Sequence, residues 1–261
     1  KTIMKKLFTL AAACLAILSV SSCKCGKKVQ QDAAADDAVA IFDGETFEGW
    51  RGYGKDHVPA AWTIEDGCLK INGSGRGEAG AVDGGDIIYT TEYGNFELSL
   101  EWKVAKGSNS GIFYLGKELQ REDGSFLPIF FSAPEYQILD NENHPDAQLG
   151  ENGNRQSASL YDMIPAVPQN SKPYGEWNTA KIIVYKGTVI HFQNDEKVLE
   201  YHLWTDEWKA MVDNCKFSEE HCPEAYPHML NVGGENGKGY IGLQDHGDDV
   251  WYRNIKVKVL D

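Results

Sequence analysis

From Phe96 to Val104 the chain alternates without a break, with Phe96, Leu98, Leu100, Trp102 and Val104 set against Glu97, Ser99, Glu101 and Lys103. Successive strand side chains point to opposite faces, so this period of two specifies a strand with one face in a core and the other in water. A helix would scatter the same apolar groups around its cylinder. The apolar face needs a second layer to pack against.

The rest of the chain supplies that layer in the same form. Trp62-Thr-Ile and Cys68-Leu-Lys-Ile flank Glu65-Asp-Gly67, and Lys181–Tyr185 and Thr188–Gln193 flank Lys186-Gly187, so both pairs read as hairpins. A third hairpin runs through Asn194-Asp-Glu196 into Val198–Leu203. Further strands are expected at Ile112–Leu115, Tyr136–Leu139, Ser159–Met163, Tyr240–Leu243 and Val250–Leu260. The single helix expected is one or two turns over Thr205–Val212, with Asp206 near its start. Short strands without alternating helices exclude a doubly wound α/β fold and predict an all-β sandwich or jelly roll. Aromatic residues such as Trp177 are expected in its core.

The amino-terminal segment has a separate purpose. Lys5 and Lys6 precede the apolar run Leu7–Leu18, and Ser19-Val-Ser-Ser-Cys23 follows with small residues. Those 12 residues fall short of the roughly 20 that a membrane-spanning helix needs. The pattern is that of a signal peptide (1–22) with a lipoprotein cleavage site, leaving Cys23 as the lipidated residue. An ordinary secretory signal is the alternative, and Cys25 competes with Cys23. Residues 23–38, rich in Lys, Gln, Asp and Ala, read as a flexible tether, and 39–261 as a single domain. The expected product is exported and lipid-anchored in a bacterial cell envelope, periplasmic or surface-facing, touching the membrane only through its anchor.

The formal charge is −14, and the three lysines before Cys23 account for three positive charges, so the chain from Cys23 onward carries −17. Such a surface repels phosphate backbones, which excludes nucleic acid as a partner. Cys68 reads as a small buried residue. Cys215 and Cys222 are close enough in sequence to form a local disulfide in an oxidising compartment, or to remain free. With only His221 beside them, a metal site there is the weaker alternative.

An ordered set of motifs then carries a resemblance. Phe42-Asp-Gly-Glu-Thr-Phe-Glu-Gly-Trp50, Trp62-Thr-Ile-Glu-Asp-Gly-Cys-Leu69, Tyr93-Gly-Asn-Phe-Glu-Leu98, Asn109-Ser-Gly-Ile112 and Glu135-Tyr-Gln-Ile-Leu-Asp-Asn141 come first. Leu160-Tyr-Asp162, Gly175-Glu-Trp-Asn178, Gly242-Leu-Gln-Asp-His-Gly247 and Arg253-Asn-Ile255 follow. Together, from about Ile41 to Leu260, they resemble the 3-keto-disaccharide hydrolase family. The resemblance implies a concanavalin A-like jelly-roll sandwich of two antiparallel sheets, and cleavage of glycosides already oxidised to a ketone at C3. A separate oxidoreductase would supply that ketone, so the cleavage step requires no redox cofactor. Related sequences carry an Arg near position 115; Leu115 stands here, and no substrate contact by such an Arg is expected.

A C3 ketone acidifies the proton on C2, so a modest base can remove it and the C1 oxygen leaves by β-elimination, with water adding afterwards. The protein must supply a base and donors for the enolate oxygen, and a divalent metal could replace those donors. Glu135 is the expected base, sharing a strand face with Gln137 while Tyr136 and Ile138 face the other way. Its bland alternative is an exposed carboxylate on a sheet surface. His144 can act as acid or second base, or be a solvated loop residue. Asn109, Gln137, Tyr161, Gln244 and His246 are candidate substrate-binding residues. Turn formation would equally account for Asn109 and His246, and packing at the sheet edge for Tyr161. Asp140, Asn141 and Asp146 are rich enough in oxygen to hold Ca²⁺, although turn chemistry explains them as well. A retaining glycosidase of this fold would place carboxylates at alternating positions of one strand, but positions 137 and 139 are Gln and Leu. A non-catalytic glycan-binding protein is the alternative to the 3-keto enzyme, and a conventional glycosidase comes third.

Overall fold

The alternating segment becomes a long inner strand of an eight-stranded sheet in the computed structural model, which describes residues 37–74 and 83–261. In chain order the strands are β1 (Val39–Ala40), β2 (Trp50–Gly52), β3 (Trp62–Glu65), β4 (Cys68–Ile71), β5 (Ile87–Tyr89), β6 (Phe96–Val104) and β7 (Asn109–Gly116). β8 (Glu135–Leu139), β9 (Asn178–Tyr185), β10 (Thr188–Gln193), β11 (Glu196–His202), β12 (Tyr240–Leu243) and β13 (Val250–Val259) follow. Helices α1 (Asp206–Asp213) and α2 (Tyr226–Leu230) lie between β11 and β12. The expected signal segment, Cys23 and the tether up to residue 36 lie outside the described residues.

The larger sheet has the order β11-β10-β9-β6-β13-β4-β3, with β1 also on β13, and the smaller has β2-β5-β12-β7-β8. Every pairing is antiparallel, so the fold is the expected all-β sandwich of two antiparallel sheets. Phe96, Leu98, Leu100, Trp102 and Val104 are all buried in the core between the sheets, where they meet Ile112, Tyr114, Tyr136 and Ile138. The hairpins close where expected. Asp66 and Gly67, Lys186 and Gly187, and Asn194 and Asp195 all have positive φ, the conformation of the two-residue turns whose twist matches the strands.

β7 and β8 are buried along their entire length, because their sheet is covered on both faces. One face meets the main core. On the other, Ile88, Phe113, Ile129 and Ala133 form a smaller apolar cluster. Glu135 and Gln137 share that outer face with Asn109 and Gly111, their near neighbours in the β7–β8 register.

Two expectations, a strand at Ser159–Met163 and a core position for Trp177, are corrected, and two alternatives that the sequence left open are decided. Ser159–Met163 is not a strand; Leu160 forms isolated bridges to Tyr136 and Ile164, between Ala158 and Asp162, whose left-handed backbone breaks any extension. Cys215 and Cys222 are free rather than bridged, and the buried Cys215 Sγ donates to Val212 O. Trp177 is half-buried on the outer face of the larger sheet, with Arg253 Cζ 3.9 Å and Lys103 Nζ 5.0 Å from its ring centroid. Asp140, Asn141 and Asp146 are engaged within the protein, Asp140 receiving Gly107 N–H and Asn143 Nδ2–H, both at 2.8 Å. The expected helix does form, capped by Thr205, whose hydroxyl accepts Trp208 N–H at 3.1 Å.

Candidate active site

The outer face of the smaller sheet carries a small polar pocket lined by Asn109, Phe130, Glu135, Gln137, Tyr161, Lys216, Gln244 and His246. Its free volume is about 20 Å³, room for a single water. Phe130, in the single 3₁₀ turn Ile129–Phe131, and Lys216, in the loop after α1, form two of its walls.

Each strand places its residue for a local reason. Glu135 begins β8 and is 7% exposed, so the exposed-surface alternative fails. Gly111 on β7 makes room for it, since a Cβ there would sit 2.5 Å from Glu135 Oε1. Gln137 Nε2 donates to Arg155 O at 3.4 Å while its backbone pairs with Ala158 and Ser159, so it ties the following loop to the sheet. Asn109 and Gln244 are 4% and 5% exposed, yet neither Asn109 Oδ1 nor Gln244 Oε1 has a hydrogen-bond partner among the described residues. Buried oxygens in that state cost stability unless a ligand or water donates to them.

Gln244 and His246 follow β12 in a turn fixed by Asp245, whose carboxylate accepts Gly85 N–H at 2.7 Å and Gly247 N–H at 2.9 Å. Tyr161 is set by its own N–H on Glu135 O at 3.1 Å, and its hydroxyl donates to Asp146 Oδ2 at 2.8 Å. Asp146 and Asp162 also hold Arg155, at 3.1 and 2.6 Å. Burial, and then the negative charge of Glu135, pushes the Tyr161 phenol upward, so it stays protonated.

His144 stands just behind the pocket, its ring perpendicular to that of His246 at 5.8 Å. Its Nδ1 accepts Asp146 N–H at 3.2 Å, which assigns the ring proton to Nε2. Burial, and next the neighbouring His246, lower its pKa, so the imidazole is neutral and presents a donor rather than a base. His144, His246 and Asp248 also place one ligand atom each within 4.8 Å of one another, a two-histidine, one-carboxylate set that can hold a divalent metal. Asp248 is meanwhile anchored by Asn109 N–H at 3.0 Å.

Six of the seven residues expected at the site therefore line one pocket, and His144 adjoins it. Phe130, Lys216 and Asp248 were not foreseen. Asp248 was within reach of the sequence, two residues beyond His246, whereas Phe130, in a single 3₁₀ turn, and Lys216, in a loop, have no periodicity to place them.

Unpartnered acceptors around a buried carboxylate suit a ligand rich in hydroxyl groups, as a carbohydrate is. Residues 37–258 match the family model described as a 3-keto-alpha-glucoside-1,2-lyase-like domain. A protein of Bacteroides thetaiotaomicron named 3-keto-disaccharide hydrolase is 57% identical over 290 aligned residues, covering 99% of this chain and 100% of the relative. A Parabacteroides distasonis structure, provisionally called a glycosyl hydrolase, superposes with a TM-score of 0.69 at 28% identity over 86% of this chain and 94% of the other. A second from the same organism gives 0.57 at 26% identity, over 81% and 99%. The chain belongs to the 3-keto-α-glucoside-1,2-lyase-like family and is a glycoside-cleaving enzyme.

Proposed function

We propose that this enzyme cleaves 3-keto-glycosides by removing the C2 proton with Glu135 and expelling the C1 oxygen, water then adding across the double bond. The observation that carries this reading is that Glu135 is the only carboxylate lining the pocket among the described residues. Direct displacement at C1 needs two carboxyl groups flanking the bond, whereas elimination beside a ketone needs one base. His144 Nε2–H is the donor for the developing enolate oxygen, as a neutral imidazole that need not give up its proton. Asn109 Oδ1 and Gln244 Oε1 accept substrate hydroxyls. The ketone would be made beforehand by a separate oxidoreductase.

Glu135→Gln keeps the shape of the side chain and removes the base, so turnover of a 3-keto-disaccharide falls by about 10²–10⁴-fold while binding persists. Wild-type enzyme in D₂O places deuterium at C2 of the hydrated product, measured against spontaneous exchange. Rapid cleavage without label, or near-normal turnover by the Gln variant, overturns the reading. The donor set of His144, His246 and Asp248 favours a second reading, in which a divalent cation rather than His144 Nε2–H stabilises the enolate.

A further inference from the structure

Beside the small polar pocket lies an open cleft of about 800 Å³, lined by Arg155, Asp162, Met163, Met211, Asn214 and Lys216 among others. Lys216 lines both cavities. Its Nζ lies 4.2 Å from the centroid of Tyr161, 4.9 Å from Phe217 and 5.4 Å from Phe130, contacts that orient an ammonium without giving it an oxygen acceptor. Its backbone is fixed because Lys216 N–H donates to Asp162 Oδ2 at 2.9 Å, and Asp162 is held in turn by Arg155.

On the reading that the 3-keto ring reacts at Glu135, we infer that the departing sugar unit occupies this cleft, with its glycosidic oxygen at Lys216 Nζ on the boundary. The cleft is within the range of ligand sites, roughly 300–1,000 Å³. Half-buried Met163 and Met211 offer apolar surface for a pyranose face, and exposed Glu151, Asn214 and His221 offer partners for its hydroxyls. The chemistry needs a group at that boundary. When the C2–H bond breaks, its proton goes to Glu135 and its electron pair forms the C1–C2 double bond. The C1–O bond breaks, and the leaving oxygen takes a proton from the Lys216 ammonium to depart as an alcohol. Water then adds OH to C1 and H to C2, and proton exchange with solvent restores both side chains.

The test compares three 3-keto-glucosides that differ only in the leaving unit: a disaccharide, the methyl glycoside and the 4-nitrophenyl glycoside, whose phenolate departs without a proton. Lys216→Met lowers kcat on the first two by about 10²–10³-fold and on the nitrophenyl substrate by less than about tenfold. Equal losses on all three overturn the role of Lys216. Ala210→Trp, on the exposed rim of the cleft, lowers the ratio of kcat/KM for disaccharide over methyl glycoside by about tenfold or more, equivalent to about 1.4 kcal/mol. An unchanged ratio overturns the subsite. A wild-type enzyme inactive on all three substrates overturns the elimination reading itself, and this inference with it.

Discussion

Gly111→Ala tests the placement of the base without touching it. An added Cβ lies 2.5 Å from Glu135 Oε1 and 2.9 Å from its Cδ and Cγ, where ordinary contacts are 3.4–4 Å. The side chain must therefore retreat by about 1 Å, and a displacement of that size in a reacting group costs about 10²-fold in rate, or roughly 2.7 kcal/mol on the barrier. The backbone at Gly111 is not in the left-handed region, so alanine fits it. Folding should gain about 0.4–1 kcal/mol from the stiffer unfolded chain, which offsets part of the local crowding. The expected variant is folded, with a urea midpoint near that of wild type, and has kcat for a 3-keto-disaccharide reduced by about 10²-fold. Shortening the neighbour in the same background supplies the control. In Gly111→Ala with Glu135→Asp, the lost methylene relieves the clash, so the double variant should be less impaired than the product of the two single losses. Wild-type turnover by Gly111→Ala, or strictly multiplicative losses, would refute the claim that this carboxylate, held in this place, is the base.

Two further predictions concern protons and metal. His191 is fully buried, donating from Nδ1 to Ala158 O and accepting the Tyr114 hydroxyl at Nε2, and burial pushes its pKa down to about 4. The unfolded chain, with histidine near 6.5, then binds more protons between these values, so stability should fall by about 3 kcal/mol as pH drops from 6.5 to 4. Urea titrations across that range should show a flatter slope in His191→Gln, and an identical slope would remove His191 as the cause. Because His144 already carries its proton on Nε2, activity should survive dialysis against EDTA. Loss of activity restored by Mn²⁺, with His246→Ala and Asp248→Ala no longer retaining the ion by mass spectrometry, would establish the metal reading instead.

The sheet architecture was legible because its signals are local. Alternation over residues 96–104 states which side chains are buried, and Asp66-Gly67, Gly187 and Asn194-Asp195 are residues that tolerate positive φ, so the turns could be placed from residue type. What failed depends on contacts remote in sequence. Leu160-Tyr-Asp-Met163 has strand chemistry, but it packs as a loop over β8, where Tyr161 N–H and Leu160 find partners without extending a ladder. Trp177 looks like core by residue type; only the pairing of β6, β9 and β13 reveals an outer surface on which Lys103 and Arg253 can cover the indole.

The same distinction runs through the site. Glu135 and Gln137 were separated from Tyr136 and Ile138 by period alone, whereas Gln244 and His246 lie in the turn beyond β12, where period no longer assigns a face. That these two pairs and Asn109 meet, however, follows from β7 lying between β8 and β12, a topology no local pattern contains. Lys216 is further removed still. It follows α1, and reaches the pocket because Asp162, fixed through Arg155 to the loop beyond β8, captures its backbone N–H. A base can be recognised from the strand that carries it, since burial, face and charge are properties of that strand. The group that receives the leaving oxygen must come from the opposite wall, and its identity is decided by how the loops fold over the sheet.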